Sequence, residues 1–431
     1  ANDEAITTQF EMDALKDVGI EKLDLLGLKT LTVMANALAA IERHHGIKLR
    51  LQDIPMDDAK TYAMLSRGET SGVFQLESAG MRRLVMDLEP ERIEDMIPLV
   101  ALYRPGPLQT GMTDQFVRRR KGLERVQVTH PMLEPILEET FGVMVYQEQI
   151  MRIARDMAGF SMGQADILRA AMGKKRMEIM DRMRPMFVSG AVERGVNEQT
   201  AGTIFDQMAQ FAGYCFNKPH SAMYGIIAYY TAYLKANYAA EFIAAQLTSF
   251  MDNKDKVSLY IDEAVHHGLE VRPPDVNESF ADFTVDSEGN IRFGLAAIKG
   301  VGRGAVEAIL EAREERPFQS VFDFCRRIPG SAANRATLEA LVRAGSFDGF
   351  GSRAAHLAVL DTALAVRQKA ERDRSVGQAS LFGDAEEEDT GFGDERLPDI
   401  PELPQEELLA NEKDLLGFWV TDNPLKALGQ R

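Results

Sequence analysis

Three groups of residues have the types and spacing for chemistry. Arg169-Ala-Ala-Met-Gly-Lys-Lys175 puts an arginine on a helical stretch that Gly173 ends, and two lysines follow at once. An arginine fork with two lysine point charges suits a polyphosphate, and a solvated helix end is the plainer reading. Phe216-Asn-Lys-Pro-His-Ser-Ala-Met-Tyr224 sets Asn217, Lys218, His220 and Ser221 at the start of an apolar helix. Helix N-termini attract anions. Asn217 or Ser221 also suits an ordinary cap. The third group is Lys299-Gly-Val-Gly-Arg303, inside an apolar helical pattern. Gly300 and Gly302 allow positive φ and close approach. The turn around Val301 then aims peptide N–H groups outward beside a helix N-terminus, a place for a phosphate oxygen. Lys299 and Arg303 add charge. Gly-x-Gly alone reads as an ordinary turn; its helical flanks favour a helix-hairpin-helix, which positions a protein on DNA without reading bases. A weaker unit, Leu338 through Gly345, is expected to pack as its mate.

Two smaller signals lie near the ends. Asp24 is a lone carboxylate among Leu23, Leu25 and Leu26. If buried, it needs a metal or a base; otherwise it is an exposed acid at a strand end. One carboxylate does not assemble a two-metal site. Gln378-Ala-Ser-Leu-Phe382 breaks an acidic stretch, and an exposed Leu-Phe pair suits docking into a partner's groove. No Ser/His/Asp set and no metal-spaced His/Cys set is evident; seven His and two Cys are scattered.

The elements that must position these groups are mostly helices. Between 91 and 263 the helical period dominates, with expected segments at 93–102, 113–120, 147–157, 163–171, 177–193, 198–212, 221–238 and 240–251. Gly, Pro and Asn mark the breaks, and Ser161 and Asn197 are expected N-caps. Residues 31–45 and 55–66 precede them as helices. Residues 280–298 alternate like strands around a turn at 286–289. Helices follow at 304–316, 334–344 and 353–370. Residues 375–410 read as a mobile linker.

The chain has 431 residues, 45% hydrophobic and 27% charged, with a formal net charge of −17. The length allows about two to four domains. The apolar fraction excludes full disorder, and the lack of a long apolar run excludes a bilayer span, so no membrane partner is expected. Two cysteines, Cys215 and Cys325, give no disulfide framework and fit a reducing, cytoplasmic setting. The start at Ala1, without Met, suggests a processed or excised piece. Taken as a sum the net charge argues against a nucleic-acid partner, but 384–414 holds thirteen acids and two bases, which leaves −6 for everything else. Cationic islands at 116–125 and 167–184 stand within that remainder.

At this point the residues carry a resemblance over nearly the whole chain. Lys22-Leu-Asp-Leu-Leu-Gly-Leu28, Gly72-Val-Phe-Gln-Leu-Glu77, Arg104-Pro-Gly-Pro-Leu108, Tyr146-Gln-Glu-Gln149, the Arg169 to Lys175 run, Phe216-Asn-Lys-Pro-His-Ser-Ala222 and the Gly-Val-Gly hairpin are long motifs. Together they resemble the alpha subunits of bacterial DNA polymerase III, the C-family replicative DNA polymerases. The resemblance implies a palm like that of the nucleotidyltransferases, with two Mg²⁺ ions on three aspartates. Asp24 matches the third; the other two lie in a Pro-Asp-x-Asp motif that this sequence lacks. It further implies fingers that bind dNTP through Arg169, Lys174, Lys175, Asn217, Lys218 and His220. Duplex DNA is implied at Lys299, Gly300, Val301, Gly302 and Arg303. A sliding clamp is implied at Gln378, Ser380, Leu381 and Phe382. There are departures: Ala170 stands where the family often has a second arginine, and Leu23 and Leu25 replace aromatics.

The expected fold class is mainly α: a helical fingers domain, a tandem helix-hairpin-helix module, and a small β contribution from a palm remnant and from 280–298. The expected domains are a palm remnant at 1–40, fingers at 41–270, the DNA-binding hairpins at 271–375, an acidic linker with the clamp motif at 376–410, and the start of a further domain at 411–431. The implied function is part of a DNA-directed DNA polymerase working on primer-template DNA with other replicase subunits; the isolated chain is expected to be inactive. A non-catalytic DNA- and clamp-binding module is the rival reading. An acidic scaffold protein is a third, and predicts no salt-dependent duplex affinity.

Overall fold

A computed structural model describes residues 6–11, 14–15, 18–21, 23, 27–375 and 395–421. Asp24 and the segment Gln378, Ser380, Leu381, Phe382 lie outside the described residues. The fold is mainly α, as expected.

The first helices are α1 (Lys29–His45), α2 (Ala59–Ser66), α3 (Ala79–Leu88), α4 (Ile93–Leu102) and α5 (Met112–Arg120). A second group is α6 (Gln147–Ala158), α7 (Met162–Gly173), α8 (Met177–Glu193) and α9 (Glu198–Phe211). The long α10 (Lys218–Asn237) returns from that group to the first, and α11 (Ala239–Ser249) and α12 (Lys254–His266) follow. Local chemistry sets many of these ends. Ser161 and Asn197 cap α7 and α9 through their side-chain oxygens, as their positions suggested. Gly46 and Gly159 end α1 and α6 in the left-handed region.

Three helical cores result. Leu65, Leu84, Val85, Leu99, Leu102 and Phe116 close on Ala228, Tyr229 and Ala232 of α10. Ile150, Ile153, Met157, Leu168, Phe187, Ile204 and Phe205 form the core of α6 to α9. Helix α1 lays Val33, Met34, Ala37 and Ile41 against Leu234, Phe242 and Ala245. The crossing of α10 over α4 depends on Gly225, where an added Cβ would stand 2.9 Å from the Ile97 Cα. Beside it the Ser221 hydroxyl donates to the Ile97 carbonyl at 2.6 Å. Ser221 therefore ties two helices together, while Asn217 does the capping.

The basic island at 118–121 proves structural. Arg119 and Arg118 pair with Glu124, Arg120 with Asp95 and Glu91, and Lys121 with Glu89. Asp95 is buried at 1% exposure, so its pairing with Arg120 holds α5 on α4.

The remaining residues form one more core. Strands β1 (Val271–Arg272), β2 (Thr284–Val285) and β3 (Ile291–Arg292) make a small sheet in the order β1-β3-β2, parallel at β1/β3 and antiparallel at β2/β3. Helices α13 (Arg303–Glu315), α14 (Val321–Arg327), α15 (Arg335–Arg343), α16 (Arg353–Ala358) and α17 (Leu360–Ser375) follow. Ile243, Leu247, Tyr260 and Ile261 of α11 and α12 belong to this core as well, so packing crosses the expected boundary at 270.

The expectation of a linker up to 410 and a new domain from 411 differs from the structure. Helix α18 (Gln405–Leu415) is ordered, and Leu416 and Phe418 are buried in the same core as α13 to α17. Glu402 accepts the Arg353 and Ala354 N–H groups, and Glu412, fully buried, meets Arg353 at 3.1 Å. The acids in this stretch are ligands of backbone and arginine, which composition alone does not reveal. Among the described residues no helix is long and apolar enough to cross a membrane.

Candidate functional site

Two of the motifs meet through a short backbone pairing. The Phe216 N–H donates to the Val145 carbonyl and the Gln147 N–H to the Phe216 carbonyl, each at 2.9 Å. The N–H groups of Val145 and Tyr146 are both taken by the Gln149 side-chain oxygen at 2.9 Å. Gln149 is 3% exposed and also donates to the Thr140 hydroxyl at 2.8 Å. The Tyr146-Gln-Glu-Gln149 motif thus fixes an extended strand end and starts α6 in one step.

This pairing brings side chains from α7 and α10 to the same place. Arg169 of α7 donates to Gln147 Oε1 at 3.3 Å and to Asp166 at 2.8 Å. At the start of α10, Asn217 Oδ1 accepts the His220 N–H at 3.0 Å. Glu148 accepts the Lys218 N–H at 2.9 Å and the Asn217 amide at 3.1 Å. Lys218 Nζ stands 2.6 Å from Glu139 and 5.7 Å from the Tyr146 ring centre. His220 stacks on Tyr224 at 4.1 Å and meets the edge of Phe216 at 5.3 Å. Arg104 lies over the Phe216 ring at 4.5 Å and donates to the Tyr214 carbonyl. Burial pulls the Arg104 pKa below its usual value. Burial also pushes the Cys215 thiol up to about 12, so the cysteine before Phe216 is a packing group with no thiolate chemistry.

Arg169, Asn217, Lys218 and His220 are therefore gathered around one backbone junction. Lys174 and Lys175 stand apart from it, exposed at the far end of α7. Neither has an ion-pair partner among the described residues. The turn there puts positive φ on Lys175 (55°) where Gly173 was the expected stop. Sequence reasoning did not single out Gln147, Glu148, Glu139 or Arg104 as site residues. Three of these four lay within the quoted motifs, but their role depends on pairing residues about seventy positions apart.

The second site is the Gly-Val-Gly turn. Gly300 has φ +90°, Val301 is buried, and Gly302 is the N-cap of α13 with no side-chain cap. Gly302, Arg303 and Gly304 are exposed, so the first-turn N–H groups face solvent. The expected mate packs on it: Thr337 of α15 donates to the Gly300 carbonyl, and a Cβ on Gly300 would touch Ala340. Lys299 is paired with Asp414 of α18, and its N–H donates to the Leu415 carbonyl at 3.0 Å.

Two family models match parts of the chain. Residues 30–195 match the family described as the bacterial DNA polymerase III alpha subunit finger domain. Residues 268–357 match a helix-hairpin-helix motif family. The DNA polymerase III subunit alpha of Pseudomonas aeruginosa is 44% identical over 97% of this chain and 38% of its own length. Those of Escherichia coli (strain K12) and Thermus aquaticus are 43% and 46% identical over 97% of this chain, covering 37% and 34% of their own lengths. The chain thus spans little more than a third of the relatives it matches. Across that span, the chain belongs to the bacterial DNA polymerase III alpha subunit family.

Proposed function

We propose that this chain is the nucleotide-binding and duplex-holding part of a replicative DNA-directed DNA polymerase. The observation that carries the reading is the Val145–Gln147 pairing with Phe216, which sets Arg169, Lys218 and His220 around one helix N-terminus. Arg169 and Lys218 are held by exposed carboxylates, Asp166 and Glu139. Exposed pairs of this kind are worth about 0–1 kcal/mol, so a triphosphate can displace them. In this reading Arg169, Lys218 and His220 turn to the dNTP phosphates, and Asn217 keeps the helix end in place. Lys174 and Lys175 add charge from the end of α7. The exposed N–H groups at Gly302 and Arg303, beside Gly300, Val301 and Lys299, hold a duplex phosphate.

The Asp24 carboxylate and the Mg²⁺ pair assigned to it by resemblance lie outside the described residues, and no step is routed through them. Bound metal would polarise the reacting phosphate. Gln378, Ser380, Leu381 and Phe382 are proposed to bind a sliding clamp, in a cytoplasmic replicase with further subunits. The 431 residues alone are proposed to lack incorporation activity, because the palm's Pro-Asp-x-Asp is not in this sequence.

One observation favours the rival reading of a DNA- and clamp-binding module without a nucleotide pocket: Arg169 and Lys218 are already ion-paired. Titrating a fluorescent dNTP against the chain and its Lys174→Ala variant separates the two. Binding that weakens severalfold in the variant supports the polymerase pocket. No binding to the unmodified chain supports the module.

A further inference from the structure

Away from both sites, three metal-ligating side chains converge. His44 and His45 close the last turn of α1, and Glu241 lies in the first turn of α11. His44 Nδ1 is 2.5 Å from Glu241 Oε1, and His45 Nε2 is 2.8 Å from the same oxygen. All three donor atoms lie within 4.8 Å of one another. The Glu241 side chain is 3% exposed, whereas His44 and His45 are 25% and 38% exposed. The sequence reading found no metal-spaced histidine set because the third ligand is 196 positions away.

Two imidazoles on one carboxylate oxygen require a proton on each facing nitrogen, or one cation shared by all three groups. A buried carboxylate favours full counter-charge. The C-terminus of α1, which ends in a left-handed turn at Gly46, adds negative potential at the same point. Two nitrogens and one oxygen suit a borderline cation, whereas Mg²⁺ and Ca²⁺ favour oxygen sets. We propose that His44, His45 and Glu241 form a site for Zn²⁺ or a similar transition-metal ion, which fastens the end of α1 to α11. Zinc takes these ligands at about 2.0–2.2 Å, so donor atoms stand about 3.3 Å apart around a tetrahedron. Each imidazole nitrogen then moves less than about 1 Å from Glu241 Oε1. The exposed side of His45 leaves the fourth position to water. The ion closes a contact whose inner part is Val33, Met34 and Ile41 against Phe242 and Ala245.

The test is Zn²⁺ competition between the untagged chain and a chromophoric chelator, with Co²⁺ spectroscopy alongside. The expected result is one Zn²⁺ per chain, with affinity reduced at least roughly tenfold in the His44→Ala/His45→Ala double variant. Glu241→Gln keeps the side chain's size and a carbonyl acceptor, guarding against misfolding; it is expected to weaken Zn²⁺ too. The Co²⁺ form is expected to show the visible d–d band of a four-coordinate site, and His45→Ala to lose it. Zn²⁺ is also expected to raise the melting temperature of the unmodified chain and not of the variants. No Zn²⁺ binding by the unmodified chain, or equal affinity in the double variant, overturns the proposal.

Discussion

Lys299 Nζ lies 2.6 Å from Asp414 Oδ1, so the cation beside the Gly-Val-Gly turn is paired with an acid from α18. Both side chains are about 60% exposed. The pair therefore contributes little stability but stands where a duplex phosphate is proposed to sit. Asp414→Asn is expected to leave stability essentially unchanged and to tighten duplex DNA about two- to threefold at low salt. The log-log salt dependence should steepen by about one unit for the freed lysine. Fluorescence anisotropy with a labelled duplex measures both, and unchanged affinity and slope would refute a phosphate role for Lys299.

Gly225 allows α10 to lie against α4, and the Ile97 backbone leaves no room for a side chain. Gly225→Val is expected to destabilise the chain by about 2 kcal/mol or more, since backbone cannot give way as a flexible side chain does. Because the same crossing sets the start of α10, dNTP affinity is expected to fall with it. Urea unfolding and a dNTP titration at a temperature where the variant is folded check the two effects separately.

Gln149 accepts two backbone N–H groups while 3% exposed. Gln149→Leu leaves those donors buried without partners, an expected loss of about 2–4 kcal/mol. Gln149→Glu retains the acceptor and is expected to lose less. Comparable losses in the two variants, read from chemical denaturation midpoints, would show that acceptance by the side-chain oxygen is unimportant.

Acid sensitivity is expected from Glu263. Burial alone would raise its pKa, but contacts with His267 and Lys235 outweigh this and hold it at about 2, below the usual carboxylate value of 4.5. A folded pKa below the unfolded one means stability that is full above about pH 4.5 and is lost as pH falls through about 2. Lys235 is fully buried and also donates to the Glu69 and Ser71 carbonyls. Lys235→Met is expected to cost about 3 kcal/mol at neutral pH and to flatten the loss of stability below pH 4.5. Denaturant melts from pH 7 to 3 measure it, and a variant with the unmodified pH profile would exclude this pair as a source of the acid response.

Much of the helical frame was legible because its signals are local. Ser161, Asn197 and the glycines mark ends, and 93–102 and 177–193 emerge as the periodicity suggested. Helix α3 was not singled out, although Met81, Leu84, Val85 and Leu88 keep the helical spacing and Ser78 caps its start. Helix α18 was hidden by acidity that signals a linker unless Arg353 and Lys299 are known to face it. The candidate site was half legible. Lys218 and His220 announce a helix start, but nothing local says that Phe216 pairs with Val145 and Gln147. The acids that hold the cations, Glu139, Asp166 and Asp414, are ordinary residues in sequence, as is Glu148, which accepts the Lys218 N–H and the Asn217 amide. They matter only through folding.

The central claim is that the α6 and α10 starts build one triphosphate site. Isothermal titration of dNTP and of inorganic tripolyphosphate against the chain and against Lys218→Ala/His220→Ala tests it most directly. The account predicts that both ligands bind the unmodified chain and that both lose at least roughly tenfold in the variant, since each charged phosphate contact is worth about 1.5–3 kcal/mol. A variant that binds dNTP as tightly as the unmodified chain, while remaining folded, would contradict it.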